Sequence, residues 1–314
     1  MSTPTYRRRI PAASITLQVV TVIALFALWQ MGYRWAVAPA LIVLGFLLFA
    51  LPMIVAKREA QFQHRALVLL SSGRADELIR FARRQFLLST FGASAPVDAR
   101  LGLAYTQLGQ YALAKESLAA AIPFAPPAEL PTLQSALVRA LFVIGDPDGA
   151  EREGMRMLDG GGPRLPEVLV MIARARLGQK KKGQLSFELL DEADRMSVNG
   201  DVELMRTLTR IEHDIAYGHR PADVSDGADS AQAWLRSWTH FVRGRLRESR
   251  GHVDDALQSY AKAAKESGAQ QCWFAQLARA RIEDIARETP DLQKHLPVDD
   301  SVDDALRRKK KKRR

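Results

Sequence analysis

Acidic residues are absent from the first 56 positions of the chain, although they are common in the rest. Charge of either sign is also absent from two long runs within this segment, 10–33 and 35–56, which are separated only by Arg34. A helix of about 20 apolar residues can cross the hydrocarbon core of a bilayer. The sequence therefore predicts two transmembrane helices, at about 14–33 and 36–56, preceded by a basic segment at 1–13.

Basic residues flank these two runs on both sides. Arg7, Arg8 and Arg9 precede the first run, and Lys57 and Arg58 follow the second. Because loops rich in lysine and arginine stay in the cytoplasm, both flanks and the rest of the chain are predicted to be cytoplasmic, at a bacterial inner membrane. The alternative is that the first run is an export signal, which would place the body of the chain in the periplasm.

Residues that carry catalytic chemistry are also scarce. Cys272 is the only cysteine, so an internal disulfide is excluded, and its aromatic neighbours favour a buried structural thiol. The densest group of potential metal ligands, Glu212, His213, Asp214 and His219, lacks the histidine pair four residues apart that zinc proteases carry on a helix. We interpret this group as an exposed helix end. Since no serine or cysteine lies in a recognisable nucleophile pattern, the sequence predicts a protein without catalytic activity, metal or cofactor.

The net charge of +10 comes from the two ends of the chain. Residues 57–306 carry a net charge of only about −2, because the first 56 residues hold four arginines and the last eight residues are all basic. The basic tail consists of Arg307, Arg308, Lys309, Lys310, Lys311, Lys312, Arg313 and Arg314. Three roles stay open for this tail: contact with anionic lipid, electrostatic contact with nucleic acid, and solvation without a dedicated partner.

Small, aromatic and turn-forming residues occur at regular offsets in one segment, 95–126. They are Leu101, Gly102, Tyr105, Gly109, Tyr111, Ala114, Leu118, Ala121 and Pro126. This pattern resembles the tetratricopeptide repeat, a hairpin of two antiparallel helices that approach closely at small residues and are separated by a glycine. One hairpin cannot bury its own apolar faces, so neighbouring hairpins stack to form a continuous core.

Glycine recurs at the turn position of this pattern along the body of the chain. The turn glycines are Gly73, Gly109, Gly145, Gly178 and Gly251. The first three are spaced by 36 residues, and the unit around Gly251 again resembles the family closely. After Gly218 the second helix of a hairpin is not predicted, because residues 219–229 hold proline, glycine and three aspartates. Residues 272–288 are predicted to form a helix that caps the array.

The fold class predicted from these patterns is all-α. Behind the N-terminal two-helix transmembrane hairpin, residues 57–289 resemble a tetratricopeptide-like α-solenoid, for which the family implies a right-handed superhelix of five to six hairpins. Residues 290–314 are predicted to be a flexible acidic linker followed by the polybasic tail. The alternative is a helical solenoid of another class, although repeat spacings in the mid-thirties favour this family over longer HEAT-type units.

The resemblance further implies that the first helix of each hairpin lines a groove for a peptide of a partner protein. The positions that match the inward face are Thr106, Gln107, Arg139, Phe142, Ile172, Arg176, Trp238, Phe241 and Arg245. Arginines there can bind a carboxylate with two hydrogen bonds, and aromatic rings can anchor an apolar side chain. The alternative is that these side chains pack between neighbouring repeats.

Taken together, these patterns predict a membrane-anchored scaffold or adaptor that binds protein partners at the cytoplasmic face of the membrane. The bilayer would be contacted through the two transmembrane helices and the anionic lipid through the basic tail. The alternative function is an envelope-biogenesis factor of the same repeat class, with its solenoid on the periplasmic side.

Overall fold

The computed structural model describes the main body of the chain and part of its N-terminal segment. The described residues are 12–32, 39, 41–42, 45–46, 50–85, 88, 94–179, 183–196, 200–224, 230–266 and 271–288. These residues form thirteen α-helices and one short 3₁₀ turn, and they contain no strand. The prediction of an all-α fold is therefore confirmed for the part of the chain that the structure describes.

The chain divides into two compact units, residues 1–196 and residues 197–314. The helices of the first unit are α1 (Ala12–Gln30), α2 (Leu51–Ser71), α3 (Ala75–Arg83), α4 (Ser94–Gln107), α5 (Tyr111–Ala121), α6 (Leu130–Ile144), α7 (Pro147–Asp159), α8 (Pro166–Gly178) and α9 (Gly183–Asp194). The helices of the second unit are α10 (Gly200–Tyr217), α11 (Ala233–Ser249), α12 (Val253–Lys265) and α13 (Trp273–Glu288). Within the described ranges these helices form five hairpins: α2/α3, α4/α5, α6/α7, α8/α9 and α11/α12.

The hairpin turns form where a glycine ends the first helix in a left-handed conformation. Gly109 has φ +71° and Gly251 has φ +81°, values that side chains with a Cβ rarely adopt. In both turns the amide after the glycine donates to a carbonyl in the last helical turn, at 2.8 Å from Gln110 to Tyr105 and at 2.9 Å from His252 to Arg247. These bonds satisfy carbonyl groups that the end of a helix leaves unpaired. The predicted turn at Gly178 differs, because this glycine is the last residue of α8.

In α4/α5 and α11/α12, the two hairpins that match the repeat pattern best, the first helix carries a glycine that faces one large side chain of the second helix. A Cβ atom on Gly102 would lie 2.6 Å from Cγ of Leu118, and a Cβ atom on Gly244 would lie 2.5 Å from two ring carbons of Tyr260. Leu118 and Tyr260 occupy equivalent positions, because the glycine, the turn and two buried alanines have the same spacings in both hairpins. The alanines are Ala114 and Ala121 in the first hairpin and Ala256 and Ala263 in the second, and all four are fully buried.

The interior of the first unit lies between successive hairpins. α8 is buried at eight consecutive positions, 168–175. A helix that is buried all round needs neighbours on every side, and α6, α7 and α9 all contact α8. At the start of the unit, Phe62 of α2 stacks on Phe81 of α3 with ring centroids 5.7 Å apart. The stacking of hairpins into a shared core, which the repeat pattern predicts, is therefore present in this unit.

The transmembrane hairpin predicted at 14–33 and 36–56 is wrong. Within the residues that the structure describes, no helix combines the length and the apolar composition that a membrane crossing requires. α2 begins at Leu51, inside the predicted second span, and continues through the charged residues 57–59. Its later residues Phe62 and Ala66 are buried in the core of the first unit. Residues 51–56, at the end of the second apolar run, therefore belong to a helix that continues into the core of the first unit.

None of the α1 residues whose burial the structure describes belongs to the core of the first unit. The helix contains no charged residue, and seven of its large apolar side chains are exposed. They are Ile15, Val19, Val20, Val22, Ile23, Phe26 and Trp29.

Other predictions about the ends of the repeats are met or lie outside the described residues. Residues 219–224 form no helix, and α13 covers the predicted capping segment. The linker and basic tail at 290–314, including Arg307 to Arg314, fall outside the described residues. Their predicted contacts with lipid or nucleic acid stay predictions.

Replacing Gly244 with alanine tests the close contact in the α11/α12 hairpin. Alanine favours a helix over glycine by about 1 kcal/mol, but the added Cβ would overlap the ring of Tyr260, and overpacking costs about 1–3 kcal/mol. We expect G244A to lower the free energy of unfolding by about 0.5–2 kcal/mol, measured by chemical denaturation. The control is G200A at the start of α10, where an added Cβ meets nothing within 4 Å. A G244A protein more stable than wild type would contradict the proposed contact.

Candidate partner-binding surface

The nine predicted groove residues lie on the first helices of four hairpins, α4, α6, α8 and α11. Four of them are core residues. Phe142, Ile172 and Trp238 have no exposed area, and Phe241 is 4% exposed. Ile172 also fills the space beside Gly154, where an added Cβ would lie 2.6 Å from its Cδ1. These four side chains pack inside the units and offer no surface to a partner in this conformation.

Thr106 and Gln107 lie at the end of α4 and are bonded within their own unit. The hydroxyl of Thr106 donates to the carbonyl oxygen of Gly102 at 2.9 Å. The side-chain amide of Gln107 donates to the carbonyl oxygen of Leu70 at 3.2 Å, which joins α4 to the end of α2. Gln107 is nevertheless exposed, so it still has capacity to contact a partner.

The arginines of α6 and α8 are paired with glutamates of neighbouring helices. Arg139 donates from Nε to Oε1 of Glu167 at 2.6 Å, and its Nη2 lies 2.5 Å from the same oxygen. The side chains of this pair are 30% and 23% exposed. Nε of Arg176 lies 3.0 Å from Oε1 of Glu151, and these two side chains are only 13% and 14% exposed. The Arg139 pair is thus the more accessible of the two.

A further arginine, which the sequence did not single out, links three consecutive hairpins of the first unit. Arg100 of α4 is 4% exposed. Its Nε donates to Oε1 of Gln63 on α2 at 2.6 Å, and its Nη2 donates to Oε1 of Glu129, just before α6, at 2.5 Å. Arg100 and Glu129 are 29 residues apart, and Arg139 and Glu167 are 28 residues apart. An arginine followed by a glutamate 28 or 29 residues later, several residues less than one repeat, is therefore the sequence signal that could have revealed these links.

In the second unit, polar contacts likewise join successive helices. The indole Nε1 of Trp238 donates to Oε2 of Glu212 at 2.9 Å, which connects α11 to α10. Its ring also stacks on Phe274 of α13 at a centroid distance of 4.6 Å and an angle of 5°. Arg245, the third predicted arginine, is half-buried and lies one helical turn before Glu248 on α11.

Glu248 is the centre of a charged cluster that fastens α13 to the α11/α12 hairpin. It accepts hydrogen bonds from the hydroxyl of Tyr260 at 2.6 Å and from Nε of Arg281 at 2.9 Å. Burial alone would raise the pKa of Glu248, but the bonds from Arg281 and Tyr260 outweigh burial and hold that pKa below its ordinary value. Burial and the bond to this carboxylate raise the pKa of Tyr260. The carboxylate is therefore ionised and the phenol protonated at neutral pH.

Three residues with reactive side chains, Cys272, His213 and His219, differ in their burial. Cys272 is buried, as predicted, and its Sγ lies 3.5 Å from Oγ of Ser237. His213 departs from the predicted exposed helix end, because it is only 8% exposed. Burial lowers the pKa of His213 below its ordinary value, against the opposing effect of Asp214. His219, in contrast, is exposed as predicted.

Comparison of the chain with protein-family models, with curated proteins and with solved structures found no match. The resemblance to the tetratricopeptide repeat, which implies the groove positions, therefore stays a prediction.

The charged cluster at Glu248 predicts a specific dependence of stability on pH. Because its pKa is lower in the folded protein, ionised Glu248 stabilises the fold above the ordinary glutamate pKa of about 4.3. This contribution is lost as the pH falls through the lower pKa of the folded state. We expect E248Q to be less stable than wild type by about 1–3 kcal/mol at pH 7, and this difference to shrink below about pH 4.3.

The matched control is E288Q, since Glu288 contacts the same arginine, Arg281, at 3.4 Å but its side chain is 63% exposed. We expect E288Q to change stability by less than about 1 kcal/mol. Denaturation curves of the three proteins between neutral and acidic pH measure both effects. Equal curves for E248Q and wild type at pH 7 would contradict the stabilising role of Glu248.

Proposed function

We propose that this protein is a non-catalytic scaffold or adaptor that binds a peptide segment of a partner protein on the first helices of its hairpins. Stacked helical hairpins commonly present extended surfaces for such partners. The proposal leaves out catalysis, because the sequence holds no recognisable nucleophile pattern. It also leaves out a bilayer anchor, since the transmembrane prediction is wrong.

The observation that carries this proposal is the partly exposed Arg139–Glu167 pair between α6 and α8. Both side chains retain solvent contact, at 30% and 23% exposure, and an arginine guanidinium has five donors in a rigid fork. A carboxylate on a partner peptide can therefore bind to the remaining donors or exchange with Glu167. The pair thus favours peptides that carry an acidic residue.

The buried positions restrict how the partner would bind. Phe142 and Ile172 lie inside the first unit and cannot act as apolar anchors without a change of packing. Recognition in this region would therefore depend on polar groups, chiefly Gln107, Arg139 and Glu167. Arg245 provides the corresponding half-buried cation on α11 in the second unit.

The double variant R139Q/R245Q tests the proposed surface. Glutamine removes the charge without creating repulsion against Glu167, and the loss of a charge-assisted hydrogen bond weakens binding by about 1.5–3 kcal/mol, or roughly 10–100-fold. We expect partners that are crosslinked to the wild-type protein in its native cells to be depleted at least tenfold in the variant. Quantitative mass spectrometry of the crosslinked complexes measures the depletion.

The matched control is R156Q/K262Q, which removes two exposed cations from α7 and α12, the second helices of the same two hairpins. It loses the same net charge, and we expect it to retain the partners. Circular dichroism confirms that both variants are folded. If the partner set of folded R139Q/R245Q equals that of wild type, the proposed surface is wrong.

A further inference from the structure

The end of α10 carries an unusual combination of side chains on a common backbone turn. Gly218 has φ +71°, and the amide of His219 donates to the carbonyl oxygen of Asp214 at 2.8 Å. This bond spans from the residue after the glycine to the last helical turn, as in a Schellman motif. It holds the backbone of His219 directly beside that of Asp214.

The same bond occurs at five other described turns, which serve as internal comparisons. The paired residues are Arg74 with Leu69, Gln110 with Tyr105, Asp146 with Leu141, Gly162 with Met157, and His252 with Arg247. In each of these turns at least one of the two residues offers no side-chain ligand for a metal at neutral pH. Among the described turns of this type, the one at Gly218 alone pairs two residues with ligating side chains, and His213 adds a third from the preceding position of α10.

The three side chains meet around a small space. Nδ1 of His213 lies 3.9 Å from Oδ1 of Asp214, and Nδ1 of His219 lies 3.7 Å from the same oxygen. One potential ligand atom from each residue lies within 4.8 Å of those from the other two. These separations exceed a direct hydrogen bond of about 2.7–3.2 Å. Ligands of a tetrahedral zinc ion, with bonds of about 2.0–2.1 Å, are roughly 3.3 Å apart. The three donors reach that spacing if the partly exposed Asp214 carboxylate and the exposed His219 ring both rotate toward Nδ1 of His213.

The three ligand side chains differ in their burial and in how much their neighbours restrict their orientation. His213 is 8% exposed, and its ring packs against that of Tyr217 at a centroid distance of 4.5 Å, which restricts its orientation. The side chain of Asp214 is 26% exposed and that of His219 is 66% exposed. The site would therefore be closed on the side of the helix and open to water on the side of His219.

We propose that His213, Asp214 and His219 bind a divalent transition-metal ion of the zinc, cobalt or nickel type. Two imidazole nitrogens and one carboxylate oxygen are ligands that these borderline ions accept, whereas magnesium and calcium prefer oxygen ligands alone. With three protein ligands, the fourth position is left for water on the open side. A bound ion fastens the segment after Gly218 to the end of α10. This site is separate from the proposed peptide surface and does not depend on it.

Titration of the full-length protein with Zn²⁺ in an isothermal calorimeter tests this site. We expect wild type to bind one equivalent of zinc, and H219A to bind at least tenfold more weakly because it loses one of three ligands. His219 is exposed, so its replacement leaves the packing of α10 intact. H213Q and D214N should weaken binding as well, with circular dichroism as the check on folding.

The matched control is H252A. His252 follows Gly251 as His219 follows Gly218, but its backbone amide donates to Arg247, whose side chain is not a metal ligand. We expect H252A to bind zinc as wild type does. Absence of zinc binding by wild type, unchanged binding by H219A, or an equal loss in H252A would each overturn the proposed site. Visible absorption of the Co²⁺-loaded protein provides a second readout, since a four-coordinate site with nitrogen ligands has stronger absorption than hydrated cobalt.

Discussion

Two antiparallel helices approach most closely where one of them presents only a glycine, and this constraint sets the packing of two hairpins of the chain, α4/α5 and α11/α12. Gly102 accommodates Leu118, and Gly244 accommodates Tyr260, at separations that leave no room for a Cβ atom. The close contact joins the two helices of each of these hairpins and leaves apolar residues on the hairpin's outer face. The apolar residues on that face are then buried only by the next hairpin, as the fully buried stretch of α8 illustrates.

Polar contacts between successive first helices add directional links to this apolar packing. Arg100 joins α4 to Gln63 and Glu129, and Arg139 joins α6 to Glu167. Such links have a functional consequence. Because the arginine is already bonded to a glutamate of its own chain, a partner carboxylate binds only if it uses the remaining N–H donors or replaces that glutamate. The proposed peptide surface is therefore selective for partners that supply a competing carboxylate in suitable geometry.

Much of the helical organisation could be predicted from sequence, because small residues, turn glycines and helix stops act locally. The turns at Gly109 and Gly251 and the capping helix α13 illustrate this success. The prediction of the transmembrane hairpin failed because a charge-free run does not reveal whether its last residues start a core helix, as those at the beginning of α2 do. Among the groove positions, helical spacing alone could not separate the buried Phe142 and Trp238 from the partly exposed Arg139.

The sequence by itself determined the α-helical class, the hairpin unit and the positions of most turns, since each depends on residues within one repeat length. Only the tertiary structure decided which side chains are buried and which glutamate each arginine holds. It also decided that His213, Asp214 and His219 meet at one helix end. The physical reason is that these relations depend on how separate helices approach one another and on how a left-handed glycine redirects the chain, and neither is contained in a pattern of residue types alone.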